Sequence, residues 1–146
     1  MRDPSIQFIR VVNKLARLAQ SPTDFGTGEV LYFSELQVID AVQNTPGINV
    51  TALANLLGIT TGTVSPIVNR LANKGYIKKS RVSGDGRVVR LELTEKGMMA
   101  SKGLQRQARE YALEYAKEIS FGEWAIFNEI LVKLEAFVDK KMRNGA

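Results

Sequence analysis

The sequence predicts a mainly α fold carrying one small β-hairpin. Three observations support this. Apolar residues recur at helical spacing through most of the chain, two short helices in its middle are separated only by a glycine-containing turn, and two β-rich runs bracket the turn Ser-Gly-Asp-Gly. With 146 residues, 45% of them hydrophobic, the chain is expected to form a single domain, 1–146, with its own core.

Residues 5–20 read as the first helix, with Phe8, Val11, Val12, Leu15, Leu18 and Ala19 at helical spacing. The proline and two glycines of SPTDFGTGEV, 21–30, then predict a loop. SELQ at 34–37 reads as a capping box, Ser34 accepting from free N–H groups and Gln37 reaching back. It opens a second helix through about Gln43, whose apolar positions are Leu36, Val38, Ile39 and Val42, and NTPG ends it. In INVTALANLLGI, Asn49 is the expected N-cap of a third helix, Val50, Leu53, Leu56 and Leu57 form its apolar face, and Gly58 is its C-cap. Only GIT separates it from a fourth helix beginning near Thr61, which is a helix-turn-helix pattern. An αα corner in a helical bundle would give the same turn.

The fourth helix has an unusual face. At 100° per residue, Val64, Ile67, Val68 and Leu71 cluster toward the core. The opposite side carries Gly62, Pro66, Asn69 and Asn73, flanked by Ser65 and Arg70, with Thr61 and Thr63 in the first turn. A helix face that only meets solvent is usually rich in Glu and Lys, and both are missing here until Lys74. Small polar residues let a backbone approach a DNA major groove while Ser, Thr, Asn and Arg reach base edges and phosphates. Pro66 deletes one helical hydrogen bond, to the carbonyl of about Gly62. Its outward ring can offset that loss as a flat apolar contact on the groove face, or it can be a neutral peculiarity.

Gly75 ends the helix. YIKKSRV and RVVRLEL around SGDG read as a hairpin, and Arg87 lies just past its tip. A basic hairpin beside a helix-turn-helix is a wing whose arginine can enter a narrow minor groove. Arg81, Ser83, Asp85 and Arg87 are its candidate contacts, with Asp85 able to orient Arg87 as a bidentate partner. An ordinary turn with a charged rim has the same composition. Thr94 is then the expected N-cap, with Glu95 in the first turn, of a helix running to about Glu118. A second capping box, SFGE at 120–123, opens the last helix, which holds Trp124, Phe127, Ile130, Leu131, Leu134, Phe137 and Val138. Trp124, Phe127 and Leu131 fall on one side of it and Ile126, Ile130 and Phe137 on another, so one face can pack on its own core and one on a partner helix.

The net charge of +5 is concentrated. Between Arg70 and Arg90 there are seven basic residues and one acid, a net +6, so the other 125 residues sum to −1. Focused positive charge suits a polyanion, although a solvated basic face looks the same in composition. Lys74, Lys78 and Lys79 are the candidate phosphate contacts. Cysteine and histidine are both absent, which removes disulfides, thiol redox chemistry, Cys-based zinc sites and Ser-His-Asp catalysis. No acidic cluster suggests magnesium. No catalytic residue, cofactor or metal is therefore expected, and the protein is not expected to be an enzyme. The first twenty residues lack a signal-peptide pattern and no run is long enough to span a membrane, so a soluble cytoplasmic protein with no membrane partner is expected.

Two stretches, VTALANLLGITTGTVSPIVNRLANKGYIKK and DGRVVRLELTEKG, resemble the MarR family of bacterial and archaeal transcription regulators. The similarity runs from about Ile6 to Met142. Asp85 and Arg87 match the family's Asp-x-Arg wing, and Leu93, Thr94 and Gly97 its Leu-Thr-x-x-Gly. GTVSPIV is similar to the branch that senses organic hydroperoxides, but that branch senses through a cysteine and this chain has none. The resemblance implies a winged helix-turn-helix DNA-binding region, 34–93, and a helical dimerisation region, 5–20 plus 95–143. Subunits would join through the first and last helices, here through Phe8, Val12, Leu15, Phe127, Leu131, Leu134 and Phe137. The expected partners are double-stranded DNA, a second copy of the chain and a small aromatic or phenolic effector. A twofold dimer places two recognition helices about 34 Å apart on a pseudo-palindromic operator. The implied function is repression relieved by that effector. Arg10, Arg17, Tyr32, Tyr111 and Tyr115 can lie near an effector crevice, with ordinary packing or solvent exposure the simpler reading of each. The alternative function is a winged-helix protein-interaction module with only non-specific DNA affinity.

Overall fold

The computed structural model describes residues 3–82 and 84–145, and the side chain of Asp85 lies outside that description. In chain order the elements are α1 (Pro4–Ala19), β1 (Thr23–Asp24), β2 (Val30–Leu31), α2 (Phe33–Asn44), β3 (Ile48–Asn49), α3 (Val50–Leu57), α4 (Thr61–Asn73), β4 (Ile77–Val82), β5 (Asp85–Leu93), α5 (Glu95–Ala116) and α6 (Phe121–Asn144). The mainly α class with a hairpin wing is the observed one.

Most boundaries follow from capping chemistry. Asp3 accepts from the Ser5 N–H at 2.8 Å and Pro4 takes the first position of α1, where a missing N–H costs nothing. The Asn49 side chain accepts from the Ala52 N–H at 2.8 Å to start α3, and Gly58, at φ +66°, ends it. The chain then turns through 114° into α4, within the usual range for a helix-turn-helix. Thr60 caps α4, accepting from the Thr63 N–H at 3.2 Å. Ser120 and Glu123 form the expected box at the start of α6.

Four details depart from expectation. The segment 21–30 is not all loop: Thr23 pairs with Leu31 and Asp24 with Val30. The Asp24 carboxylate accepts from the N–H groups of Gly26, Thr27 and Gly28 at 2.9–3.1 Å and closes the turn between these strands. Next, α2 begins at Phe33, not at a Ser34 cap. The Tyr32 N–H donates to Glu35 Oε2 at 3.0 Å, so Glu35 reaches back in place of Gln37. Strand β2 buries Leu31 and brings the chain into the helix before Ser34. Finally, Ile48–Asn49 is a third strand, giving the antiparallel order β3-β5-β4, with Ile48 opposite Leu91 and Asn49 opposite Arg90. Strand β5 also starts inside the expected turn, where Asp85 pairs with Val82 after an irregularity at Arg81/Val82.

The core lies between α2, α3, α4 and the sheet. Val38, Leu53, Val64, Leu71, Tyr76 and Leu91 are among its fully buried members. Removing each such aliphatic side chain from water contributes about 1.5–3 kcal/mol. α5 enters against this core through glycines. The Thr94 hydroxyl donates to the Gly75 carbonyl at 2.5 Å and accepts from the Gly97 N–H at 3.1 Å. A Cβ on Gly97 would stand 2.2 Å from the Tyr76 carbonyl oxygen, and one on Gly103 would stand 2.4 Å from that of Phe25. No single helix among the described residues is long and apolar enough to cross a membrane.

The two terminal helices pack differently. Neither α1 nor α6 contains a buried residue. The accessible surface is 10687 Å², against about 7,500 Å² for a compact monomer of this mass.

Gly97→Ala is expected to destabilise the fold by more than ~2 kcal/mol, because backbone blocks the new methyl and the roughly 1 kcal/mol gain in helix propensity cannot offset that. Gly122→Ala, in α6 with open space around it, is expected to be neutral or slightly stabilising. Urea denaturation followed by circular dichroism, at one protein concentration, checks both. A Gly97→Ala variant as stable as the parent would refute the close approach.

Candidate nucleic-acid interface

Helix α4 presents its faces as its periodicity requires. Val64, Ile67, Val68 and Leu71 are buried, Thr61, Gly62, Thr63, Pro66, Asn69 and Arg70 are exposed, and Ser65 is half-buried. Pro66 sits inside the helix, and among the described residues no peptide is cis and no non-glycine residue has positive φ. The carbonyl of Gly62, four residues back, is exposed to water that can donate in place of the missing N–H. The Thr63 hydroxyl is 2.9 Å from that of Thr60, so the first turn is ordered by the cap itself.

The hairpin is tied to this helix. Lys79, on β4, donates its ammonium to Asn69 Oδ1. An ammonium only donates, so the amide oxygen must face it, and the Asn69 NH2 group stays available. Lys78 pairs across the strands with Glu92 at 3.0 Å, an exposed contact worth roughly 0–1 kcal/mol. Arg81 and Arg87 are exposed on the wing. Of the four wing candidates, Ser83 and the side chain of Asp85 lie outside the described residues.

Behind α4 stands a residue that sequence reasoning misses. Glu35, in the first turn of α2, has a side chain with no exposure to solvent. Its Oε1 accepts from Arg70 Nε at 2.8 Å and from Lys74 Nζ at 3.2 Å, while its Oε2 accepts from the Tyr32 N–H. Burial alone would push this carboxyl up. The Tyr32 N–H, the Arg70 guanidinium and the Lys74 ammonium outweigh burial and hold it below the usual carboxylate value. Lys74, a candidate phosphate contact, is therefore turned toward α2, while the Arg70 side chain is bound through Nε and remains 47% exposed. The capping box read at 34–37 passes over Glu35, and its cationic partners lie 35 and 39 residues away in the sequence.

A second cluster braces the end of α4. The Tyr76 hydroxyl donates to Glu29 Oε2 at 3.1 Å and lies 2.7 Å from Thr27 Oγ1. Burial pushes the Tyr76 phenol up. Lys96 is 3.1 Å from Glu29 Oε2, sits 4.5 Å over the Tyr76 ring and donates to the Lys74 carbonyl at 2.9 Å. Hydrogen bonds from Lys96 and Tyr76 hold Glu29 below its ordinary value.

The candidate dimerisation side chains lie on the two helices that have no fully buried residue. Phe8, Val12, Leu15, Leu131 and Phe137 are exposed, and Phe127 and Leu134 are half-buried. Phe127 packs edge-on to Tyr115 of α5, centroids 5.4 Å apart, and lies 5.8 Å from Trp124. The crevice candidates Arg10, Arg17, Tyr32, Tyr111 and Tyr115 are all exposed.

Residues 31–88 match the sequence model of the MarR family. Among curated proteins, the HTH-type transcriptional regulator SarZ of Staphylococcus haemolyticus is 32% identical over 68 residues, 47% of this chain and 46% of that protein. The chain thus spans about half the length of that relative. Among solved structures, Streptococcus pneumoniae FabT in complex with DNA is 29% identical, with a TM-score of 0.68 over 75% of this chain and 77% of that one. A MarR protein from Peptoclostridium difficile shares the fold at a TM-score of 0.79 and 21% identity, over 95% and 92% of the two chains.

The Glu35 carboxyl titrates lower in the folded chain than its unfolded value of about 4.3, so its contribution is complete above that value and fades as pH falls through the folded one. At pH 7, Glu35→Gln is expected to be less stable by ~1–3 kcal/mol. The gap between parent and variant should close as pH drops below about 4. Urea denaturation from pH 7 to pH 3 checks this, and a gap that stayed constant would show that the carboxylate's charge contributes nothing.

Proposed function

We propose that this chain is a MarR-family transcriptional regulator that binds double-stranded DNA sequence-specifically as a homodimer in the cytoplasm, a reading supported by the family match over residues 31–88. It represses at a pseudo-palindromic operator and leaves it when a small aromatic or phenolic ligand binds. The outward face of α4 carries this reading: small and polar, free of Glu and Lys, and joined through Lys79 to a hairpin bearing Arg81 and Arg87.

In this reading α4 enters the major groove. Thr61, Thr63 and Ser65 reach base edges or phosphates near its N-terminus, and the Pro66 ring and threonine methyls meet thymine methyl groups. Asn69 reads adenine, donating from its NH2 group to N7 and accepting from N6 on the Oδ1 lone pair that Lys79 leaves open. The wing lays Arg87 in the adjacent minor groove. The exposed apolar stripes of α1 and α6 support the dimer, because so much unpaired apolar surface suits an obligate interface. A ligand that prefers helix spacings unsuited to DNA weakens operator binding by its differential affinity.

Fluorescence-anisotropy titration against the chain's own upstream DNA, with scrambled DNA as competitor, tests the reading. The native DNA should win by roughly 10³ or more. Arg87→Ala should weaken binding to all duplexes alike, whereas Asn69→Ala should relax preference at one position by about 1–3 kcal/mol. Equal, weak binding of both DNAs would leave only a basic surface and favour a protein-interaction module.

Sedimentation equilibrium should give the parent twice its 16.2 kDa chain mass. Leu131→Glu together with Phe137→Glu should shift it to the single-chain mass and abolish tight operator binding. A parent that sediments as a monomer would overturn the homodimer.

A further inference from the structure

Glu35 has no part in the reading above, yet it is the fully buried carboxylate on which both cations of the recognition helix's second half converge. We propose that Glu35 is a positioning residue for DNA binding: it holds Arg70 by Nε so that the guanidinium presents its Nη edge to a backbone phosphate. This rests on the DNA-binding reading and adds to it a residue that touches no DNA.

The geometry separates the two ends of Arg70. A guanidinium has five N–H donors, and the 2.8 Å bond to Glu35 uses the one on Nε. The four on the Nη atoms belong to a side chain that is still 47% exposed. Glu35 itself cannot swing away. Its Oε2 is held by the Tyr32 N–H at the start of α2, and Leu36 and Val38 beside it are buried. The anchor is thus part of the core, and the arginine's stem is fixed at its far end before any DNA arrives. A preheld fork loses less freedom on binding than a free side chain.

Place in the helix selects phosphate over base. Arg70 is the tenth residue of α4, about 13 Å along the axis from Thr61. It also lies about 100° round the helix from Asn69, off the face shared by Gly62, Pro66 and Asn69, and its bond to Glu35 draws it toward α2, so its guanidinium stands at the rim of the groove, over phosphate. Lys74 has a complementary role. With two cations on one carboxylate the cluster stays net positive toward a polyanion despite the acid.

The test turns on a sign. Glu35→Gln removes a negative charge from beside a basic face, and simple charge counting says that DNA binding should tighten. Positioning says that it should weaken, by about tenfold, and equally on operator variants and scrambled duplex. Arg70→Gln should weaken binding to a similar degree and flatten the slope of log affinity against log salt by about 0.9 for each phosphate it no longer neutralises. The Glu35→Gln/Arg70→Gln double variant should then bind no worse than Arg70→Gln alone, because Glu35 acts only through Arg70. A merely structural role for Glu35 would instead add its own weakening to that of Arg70→Gln. Tighter or unchanged binding by Glu35→Gln, additive weakening in the double variant, or an effect confined to one base pair would each overturn the proposal. Melting curves confirm that each variant is folded at the assay temperature. If Glu35→Gln is not, Arg70→Lys decides: its ammonium spends itself on Glu35 and should bind DNA as weakly as Arg70→Gln, while parental affinity would refute the positioned fork. A parent chain that does not prefer its operator would overturn the DNA-binding reading itself, before any variant is compared.

Discussion

The contact of the α5 entry with the α4–β4 turn fixes the relation of every other part. The Tyr76 carbonyl receives the Thr94 N–H at 3.0 Å and leaves no room for a side chain on Gly97. The Thr94 hydroxyl spans the same junction, donating to the Gly75 carbonyl and accepting from Gly97. One point thus joins the end of the recognition helix, both strands of the hairpin and the start of the longest connection to the terminal helices. The Leu-Thr-x-x-Gly spacing has a direct physical cause here. The threonine caps a helix while bridging to another element, and the glycine admits a carbonyl where any Cβ would collide. Tyr76 is buried at that junction and needs partners for its hydroxyl, which Thr27 and Glu29 supply from the short β1–β2 hairpin. That hairpin, which has little core of its own, is held to the molecule largely by this demand, by buried Phe25 and Leu31, and by the close approach of Phe25 to Gly103.

Charge is distributed by the same logic. The basic segment 70–90 looks uniform in composition but is divided in space. Arg70 and Lys74 share a buried carboxylate, Lys78 meets Glu92, and Lys79 is bonded to Asn69. Desolvating Glu35 without these partners would be costly, so the acid and the two cations are mutually required. Arg81 and Arg87 are exposed on the wing, and the Arg70 side chain remains 47% exposed despite its bond to Glu35. A count of net charge therefore overstates what the surface offers a polyanion, and the arrangement says which positive groups have fixed directions. Direction matters more than number when a ligand's charges are themselves fixed along a backbone.

Long-period features are legible in the sequence. The core face of α4 follows from Val64, Ile67, Val68 and Leu71 alone, and the exposure of Gly62, Pro66 and Asn69 follows as its complement. Caps with one chemical solution, at Asn49, Gly58, Thr94 and Ser120, are legible too. Two-residue strands are not, since β1, β2 and β3 are too short for alternation to register and exist because of what they pair with. The start of α2 is ambiguous in sequence because Ser34 and Gln37 fit a capping box as well as Glu35 does locally. What decides between them is Leu31, which must reach the core, and Arg70 and Lys74, which need a carboxylate. The candidate site divides in the same way. Its exposed members follow from periodicity, while its bracing residues Glu35, Glu29 and Lys96 are defined only by contacts between distant segments.

The terminal helices carry the remaining constraint. No residue of α1 or α6 is fully buried within one chain, so in the proposed dimer the burial of their apolar stripes is what holds the protomers together. α6 meets the helix-turn-helix at its far end, where Met142 lies against Gly58, and the covalent route runs through α5, whose buried residues end at Gly103. Beyond it, residues 104–116 form an arm about 20 Å long. A tilt of about 10° moves the tip of such an arm by about 3.5 Å, more than a hydrogen bond's whole length. Recognition helices whose cations are held in fixed directions cannot absorb a displacement of that size by rotating their side chains. In the proposed dimer, rigidity at Arg70 and leverage along α5 would act together: the better the fork is preheld by Glu35, the more completely a small change of tilt between protomers would take it off the phosphate proposed for it.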